Sequence, residues 1–308
     1  MKRFLIFIYF ISSFNVQASE INCEALKKKY TCPGGVKYPI HLTFDDGPRP
    51  GRTELVISAL KKHDVTATFF VNGDLLTPGE KNYRDDNIRT LRRIIDAGYP
   101  IGSHGFHHIH HSKLSLGELK KDVELARGAG IGVVVDGVRQ GEFLARPLLF
   151  RLPYGDGWHP LTHNKKNKEQ VMQTLSENGF THVGWPHDGR ARGLHISDWE
   201  RGLNYQDLLL KRICEFKGGI VLMHDSQLHT ARGIDEWISA VKCLGHPIVS
   251  MEPFMQDKQS VQVCDAAEPM EPPEAPKEVP ALLDILEGMY ECDEDYAGDE
   301  DLPECEVD

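Results

Sequence analysis

The 308-residue sequence lacks any apolar run long enough to span a membrane, since a spanning helix needs about 20 apolar residues. The N-terminal apolar stretch from Phe4 to Phe14 is well short of that length. Two basic residues precede it and Val16-Gln17-Ala18 follows it, which is typical of a secretory signal peptide cleaved before Ser19. We therefore expect residues 1–18 to be removed. The mature protein is then secreted to the periplasm, the cell wall or the outside of the cell, with no membrane span.

The sequence also lacks a surplus of basic residues. It has 35 Lys and Arg against 46 Asp and Glu, a net charge of −11. Residues 265–308 hold 17 of the acidic residues and a single base, Lys277, so residues 1–264 carry a charge of +5. A mildly basic region followed by an acidic tail does not suggest a nucleic-acid-binding protein.

Cysteine is scarce, but all seven cysteines follow the predicted cleavage site, and secreted proteins meet an oxidising environment in which disulfides persist. The sequence alone leaves the connectivity open, with one cysteine left over, for which Cys264 is a candidate. Cysteines that lie near one another in the chain are Cys23 with Cys32, which could close a short N-terminal loop, Cys214 with Cys243, and Cys292 with Cys305.

Strand-like and helix-like segments alternate from residue 40 to residue 250. The predicted strands are 40–44, 66–71, 98–102, 131–135, 149–152, 181–185, 220–223 and 247–250, and the predicted helices are 52–62, 86–97, 116–127, 168–178, 205–215 and 234–243. This alternation predicts an α/β fold, a parallel β/α barrel rather than a sandwich. In such barrels the chemistry lies at the carboxyl ends of the strands, where each polar cluster below falls.

Two adjacent carboxylates, Asp45 and Asp46, end the first predicted strand, and Gly47-Pro48 forces a turn directly after them. Side chains that alternate along a strand can face one cleft where the strand breaks into a turn. Two acids so close together repel each other, and a bound cation relieves the repulsion. The alternative is a polar strand end capped by aspartate.

Five histidines fall within eight residues after the third predicted strand, at positions 104, 107, 108, 110 and 111. His104 and His108 are four residues apart, the spacing of zinc-binding pairs on one helical face. With Asp46 they predict a three-ligand zinc site that leaves a position open for water. We assign His107, His110 and His111 to a solvated histidine-rich loop.

Three further clusters end later strands. Arg151 needs a carboxylate partner on a buried strand end, and Asp45 is the obvious candidate. The following Pro153-Tyr154-Gly155 predicts a tight turn whose backbone N–H can point into the cleft as an oxyanion donor. Trp185 near Asp188 suits a sugar face, although core packing is the commoner role of a buried tryptophan. His224 ends the strand 220–223 at the barrel mouth.

In this order, the clusters resemble the polysaccharide deacetylases, the NodB-homology group known as carbohydrate esterase family 4. The resemblance covers about residues 38 to 250. It rests on the segments Thr43–Pro48, His104 with His108, Arg151 to Gly155, Asp198-Trp199, and Leu222-Met223-His224. Residues 38–264 are thereby identified as a deacetylase domain, between an N-terminal segment at 19–37 and an acidic extension at 265–308.

The resemblance implies a distorted β/α barrel and a metal-dependent hydrolase that removes N-acetyl groups from a glycan. Asp46, His104 and His108 would bind Zn²⁺ or another divalent transition metal. Asp45 would be the general base, oriented by Arg151.

By the same resemblance, His224 would be the general acid and Asp198 would orient it and support its charge. The Tyr154 N–H, in the turn that begins at Pro153, would help to hold the oxyanion. Trp199 and Leu222 would form the wall of the acetyl methyl pocket.

Two departures from the family pattern bear on the site. Gly105 stands where the family has a hydroxyl residue, which removes a group that braces the metal loop. Nine residues separate Asp188 from Asp198, a longer spacing than usual, so we expect that loop to be rebuilt. Either change can alter which glycans fit.

The leading functional hypothesis is a monomeric peptidoglycan deacetylase acting on N-acetylglucosamine or N-acetylmuramic acid. One alternative keeps the chemistry but changes the substrate to chitin oligomers, an exported polysaccharide or acetylated xylan. Another is a catalytically inactive, metal-stabilised glycan-binding protein. The presence of Asp45, Asp46, His104, His108 and His224 argues against the inactive form.

The acidic extension has its own pattern. Residues 266–280 are rich in Pro and Glu and predict an extended spacer, and residues 281–290 predict a short amphipathic helix. Such a helix is marginal by itself, so we expect it to dock on the barrel with the acidic loop 293–301 over basic residues, stapled by Cys292–Cys305. The alternative is a disordered acidic tail.

Overall fold

The computed structural model describes residues 21–76, 84–132, 134–135, 138–139, 147–156, 158–159, 167–188, 192–255 and 261–262. The predicted signal peptide at 1–18 and the acidic segment 265–308, with Cys292 and Cys305, lie outside the described residues. So does Cys264. None of the helices in the described ranges combines the length and the apolar character needed to cross a bilayer.

The predicted parallel architecture is confirmed. Six parallel strands form a half-barrel with helices, in the order β8-β1-β2-β3-β6-β7, and a short antiparallel strand, β9, pairs with the edge of β7. The strands are β1 Ile40–Gly47, β2 Ala67–Val71, β3 Ile101–Ser103, β4 Val134–Val135, β5 Val138–Arg139, β6 Leu148–Phe150, β7 Phe180–Val183, β8 Gly219–His224 and β9 Val261–Gln262.

Helices alternate with these strands, as the sequence pattern predicts. They are α1 Cys23–Tyr30, α2 Thr53–His63, α3 Arg84–Asp96, α4 Leu116–Gly132, α5 Lys168–Glu177, α6 Tyr205–Glu215 and α7 Leu228–Cys243. The first of them, α1, was not predicted. It begins at an N-cap, Asn22, whose side chain accepts a hydrogen bond from the Ala25 N–H.

Two predicted strands are only partly formed. The segment 131–135 is split between the end of α4 and the short β4, which pairs with β5 in a separate antiparallel ribbon. The segment 247–250 forms an isolated parallel bridge, Ile248 beside Ile40, rather than a strand. Both apolar runs are short, and a short apolar run does not by itself distinguish a strand from other buried segments.

The central strands are buried because helices and neighbouring strands cover them. Every residue of β2 and of β8 is buried, as expected for strands of a parallel sheet. Phe44 of β1 stacks on Phe69 of β2 with ring centroids 5.3 Å apart. The core thus fixes the position of the strand ends that follow it.

Two disulfides tie the N-terminal segment to helices from the end of the domain. Cys23 bonds to Cys243, with Cα atoms 5.6 Å apart, and Cys32 bonds to Cys214, with Cα atoms 5.2 Å apart. The short loop that a Cys23–Cys32 bond would close is therefore not formed. The sequence could not show this, because the partners are separated by 220 and 182 residues.

Candidate active site

The predicted site residues meet at the carboxyl ends of four strands. Asp45 lies at the end of β1, His104 directly follows β3, Arg151 directly follows β6, and His224 ends β8. Because parallel strands place these ends at one edge of the sheet, residues far apart in sequence become neighbours.

The adjacent carboxylates reach one cleft because β1 contains a bulge. Asp45 pairs with Phe70 and Gly47 pairs with Val71, so Asp46 is an extra residue in the register with β2. Its φ of 69° lies in the left-handed region, which aspartate tolerates better than most residues. His104 Nε2 lies 3.7 Å from Asp45 Oδ2 and 3.3 Å from Asp46 Oδ1. The sequence indicated a turn after the pair, whereas the structure places the irregularity within it.

Asp46, His104 and His108 form a compact cluster. Asp46 Oδ1 lies 3.3 Å from His104 Nε2 and 3.4 Å from His108 Nε2. Burial would raise the pKa of Asp46, but the imidazoles of His108, His224 and His104 hold it well below its usual range. Burial lowers the pKa of His108 to about 4, which favours the neutral imidazole that a metal requires.

The donor atoms of this cluster fit a metal ion. His104 Nδ1 donates to the backbone carbonyl of Arg151 at 2.8 Å, so in the neutral ring Nε2 presents its lone pair to the cluster. Asp46 Oδ1 is buried and has no hydrogen-bond partner among the described residues. Two imidazole nitrogens and a carboxylate oxygen converge without a proton donor between them, which is the arrangement of a three-ligand metal site.

Asp45 is held by a buried arginine. Arg151 Nη1 donates to Asp45 Oδ1 at 2.8 Å, and the side chains are 0% and 2% exposed. The same guanidinium donates to Thr43 Oγ1 and to the Val183 carbonyl, and it lies over the Phe70 ring. The predicted Arg151–Asp45 contact is thus present, and the carboxylate is oriented by a fixed cation.

His224 is held by a buried carboxylate. Asp198 accepts from His224 Nδ1 at 2.7 Å and from the His224 N–H at 2.8 Å, and Thr230 Oγ1 also donates to it. Burial works against a charged imidazole, but the carboxylates of Asp198, Asp46 and Asp45 raise the pKa of His224 to about 10. His224 Nε2 faces the cluster of Asp46, His104 and His108, and it lies 3.9 Å from Asp46 Oδ2.

Four other predicted residues surround this centre. Pro153 is buried and begins a 3-10 turn in which Tyr154 is left-handed, with φ 59°. The Tyr154 ring packs 4.5 Å from that of His108, and the half-exposed Trp199 ring lies 5.1 Å from that of His224. Leu222 is buried in β8, beside His195 of the loop between Asp188 and Asp198.

Trp185 takes the core role rather than that of a sugar face. It is 5% exposed, and its Nε1 donates to the Arg192 carbonyl at 2.7 Å. That bond helps to hold the long loop that separates Asp188 from Asp198, which the structure describes from residue 192 onward.

The prediction of a solvated histidine-rich loop is wrong for His111, whereas the side chains of His107 and His110 are 35% and 36% exposed. His111 is fully buried and its Nε2 donates to Asp122 Oδ2 at 2.8 Å, while His107 Nδ1 donates to Asp122 Oδ1 at 2.7 Å. Asp122 of α4 was missed because a single acid in a helix carries no sequence signal for a partner on a distant loop.

Comparisons with known proteins show which proteins this chain is similar to. A family model described as polysaccharide deacetylase matches residues 35–183. A peptidoglycan-N-acetylglucosamine deacetylase of Listeria monocytogenes is 28% identical over 250 residues, which is 77% of this chain and 45% of that protein. This chain therefore spans less than half of the length of that relative.

Two further relatives are enzymes of similar type. A peptidoglycan-N-acetylmuramic acid deacetylase of Bacillus subtilis is 26% identical over 225 residues, covering 71% of this chain and 72% of that protein. A chitooligosaccharide deacetylase of a Bradyrhizobium species is 28% identical over 202 residues, covering 65% of this chain and 76% of that protein.

Among solved structures, a family 4 carbohydrate esterase from Streptomyces lividans in complex with acetate matches with a TM-score of 0.52. At 22% identity, the match covers 76% of this chain and 100% of that chain. This likeness establishes the fold.

Proposed function

We propose that this chain, which belongs to the polysaccharide deacetylase family through residues 35–183, hydrolyses N-acetyl groups of a glycan, and that this glycan is peptidoglycan. The observation that carries the proposal is that three groups of side chains lie together. They are the Arg151–Asp45 ion pair, the cluster of Asp46, His104 and His108, and the Asp198–His224 pair. Each is a component that amide hydrolysis needs, and all three converge on Asp46 or its ligand partners.

The cluster of Asp46, His104 and His108 would hold the metal, for which we propose Zn²⁺. When bound, a zinc ion polarises a carbonyl and lowers the pKa of water to about 7. The remaining steps belong to the side chains around it.

Asp45 accepts the proton from the attacking water. Its Oδ1 is held by Arg151, while its Oδ2 lies 3.7 Å from His104 Nε2, on the metal side. The carboxylate therefore keeps one oxygen for orientation and one for the proton. Because Arg151 is fully buried, its position is set by the fold rather than by the substrate.

His224 donates the proton that the departing amine needs. Its Nδ1 is occupied by Asp198, so Nε2 faces the cleft. A raised pKa keeps the imidazolium available at neutral pH. An amine cannot leave as an amide anion, so this proton is required for the carbon–nitrogen bond to break.

The backbone N–H of Tyr154 would face the oxygen that becomes negative as water adds to the carbonyl. The left-handed conformation of Tyr154 fixes the direction of that turn. Trp199 and Leu222, beside His224, would form the pocket for the acetyl methyl group.

Peptidoglycan is the proposed substrate because two relatives act on it by name and because the chain carries features of a secreted protein. These are the signal-peptide pattern at 1–18 and two disulfides. The sugar would be N-acetylglucosamine or N-acetylmuramic acid.

The test is acetate release from acetylated peptidoglycan, chitin oligomers and acetylated xylan, with and without EDTA. We expect release from peptidoglycan, its loss in EDTA, and its return with Zn²⁺. Release from chitin oligomers alone would keep the deacetylase and reject the substrate. A zinc-loaded protein that releases no acetate from any of the three would instead support a glycan-binding protein.

A further inference from the structure

We infer that Asp122 is a positioning residue that fixes the loop carrying His108 and thereby sets the metal affinity of the site. The inference rests on the proposed function, since it assumes that His108 is a metal ligand. It concerns a residue of α4 that lies outside all the motifs discussed above.

The two imidazoles of the cluster are supported unequally. His104 directly follows β3, and its Nδ1 donates to the Arg151 carbonyl, which fixes the ring. His108 lies on the loop after β3, and its buried Nδ1 has no hydrogen-bond partner within the described ranges. Its ring lies 5.2 Å from that of His104 and 4.5 Å from that of Tyr154. The orientation of His108 therefore depends on its backbone.

Asp122 fixes that backbone from α4. Oδ2 accepts from the Phe106 N–H at 3.2 Å and Oδ1 from the His107 N–H at 3.1 Å. The rings of His107 and His111 donate to the same carboxylate at 2.7 and 2.8 Å. One buried carboxylate thus holds the loop on both sides of His108, with four charge-assisted hydrogen bonds.

Asp122, rather than a residue at position 105, stabilises this loop, because the loop path leaves no room for a side chain at 105. Gly105 has a φ of +90°, and a Cβ there would lie 2.9 Å from the His107 carbonyl oxygen and 3.1 Å from His111 Cε1. A hydroxyl residue at 105 would require a different loop path. The Asp122 contacts therefore replace, rather than supplement, a hydroxyl brace at that position.

The experiment compares zinc affinity in Asp122→Asn and in the wild type, by competition with a chromophoric chelator. Asparagine keeps the volume but replaces one acceptor oxygen with an NH₂ donor, which faces the N–H groups of the loop. We expect the zinc dissociation constant to rise by about tenfold, the lower end of the range for groups that support metal ligands. Turnover should fall at limiting zinc and return toward the wild-type value at saturating zinc.

Glu124→Gln is the matched control. Glu124 is exposed and lies two residues further along α4, and its substitution removes the same negative charge. We expect its zinc affinity and melting temperature to equal those of the wild type. The melting temperature of metal-free Asp122→Asn is measured in parallel, so that a loss of folding is not mistaken for a loss of affinity.

His107→Gln should have a smaller effect than Asp122→Asn. It removes only one of the hydrogen bonds to Asp122, the one from the partly exposed His107 ring. If both residues act through the same loop, the double variant with Asp122→Asn should lose less affinity than the product of the two single effects.

Zinc affinity unchanged in Asp122→Asn, with a lowered melting temperature, would make Asp122 structural only and overturn the inference. A wild type that binds no zinc would overturn the metal assignment itself, which is a different result.

Discussion

Two charged pairs face the predicted metal cluster, and they have opposite polarity. On the Asp45 side a carboxylate points into the cleft and the cation of Arg151 lies behind it. On the His224 side an imidazole points into the cleft and the carboxylate of Asp198 lies behind it. Each supporting residue is 0% exposed.

The difference shows how one cleft can hold a base and an acid a few ångströms apart. The Arg151 cation orients the Asp45 carboxylate, and the Asp198 carboxylate favours the imidazolium form of His224 that proton donation needs. The two supports also differ in kind. Arg151 also donates to three further acceptors, whereas Asp198 accepts two hydrogen bonds from His224 and one from Thr230.

Replacing Asp45 removes the base and gives the largest expected effect. We expect Asp45→Asn to lose about 1,000-fold or more in kcat, toward the upper end of the range for general-base catalysis, while zinc content stays at the wild-type level. Metal analysis and acetate assay of the same sample check both. Asp85→Asn, an exposed aspartate on α3, is the control. Zinc lost in proportion to activity would mean that the roles of Asp45 and Asp46 are exchanged.

Replacing His224 removes the proposed general acid on the other side of the cleft. We expect His224→Asn to lose about 100- to 1,000-fold with acetamide substrates and much less with an activated acetyl ester, whose leaving group needs no proton. Parallel assays with both substrates separate the cases. His229→Asn, an exposed histidine on α7, should leave both rates unchanged. Equal losses on the two substrates would indicate a structural role for His224.

Asp198→Asn leaves His224 in place and removes only the negative charge that lies behind it. It should lower the pKa of His224 from its raised value of about 10, and each unit by which that pKa falls below the assay pH costs about tenfold in the protonated fraction. The alkaline limb of the pH–rate profile should therefore move to lower pH. An unmoved limb would show that Asp198 does not control His224.

The same pair predicts a pH dependence of stability in the metal-free protein. Because the folded pKa of His224 exceeds its ordinary value of about 6.5, its charged form stabilises the fold fully below pH 6.5. This contribution is lost as the pH rises toward 10. Denaturant unfolding across that range should show the decline in the wild type and a smaller decline in Asp198→Asn.

Arg151→Lys should have the smallest effect on turnover and a clear one on stability. Lysine keeps the charge beside Asp45 but cannot reach every acceptor of the guanidinium, such as the Val183 carbonyl. Each buried acceptor left without a donor costs roughly 1–3 kcal/mol. Denaturant unfolding measures this loss, and an unchanged free energy of unfolding would show that those acceptors find other donors.

Residues at strand ends could be predicted because strand patterns are local and parallel strand ends converge. Asp45, His104, Arg151 and His224 follow from that rule and from the family resemblance. The bulge at Asp46 could not, because it depends on register with β2. Asp122 depends on packing between α4 and a loop, and the disulfide partners depend on the closure of the whole fold. Contacts of this kind leave no trace in local composition.

The two disulfides also keep the chain in one covalent piece after a single backbone cut between them. Cys23 and Cys32 each bond to a cysteine beyond residue 213. A protease that cuts the backbone anywhere between residues 32 and 214 therefore leaves two fragments joined covalently at two points. Asp45 and His104 then stay tethered to His224, even when a cut after His104 separates them in the chain. The two fragments of a cleaved molecule would therefore separate only after both disulfides had been reduced.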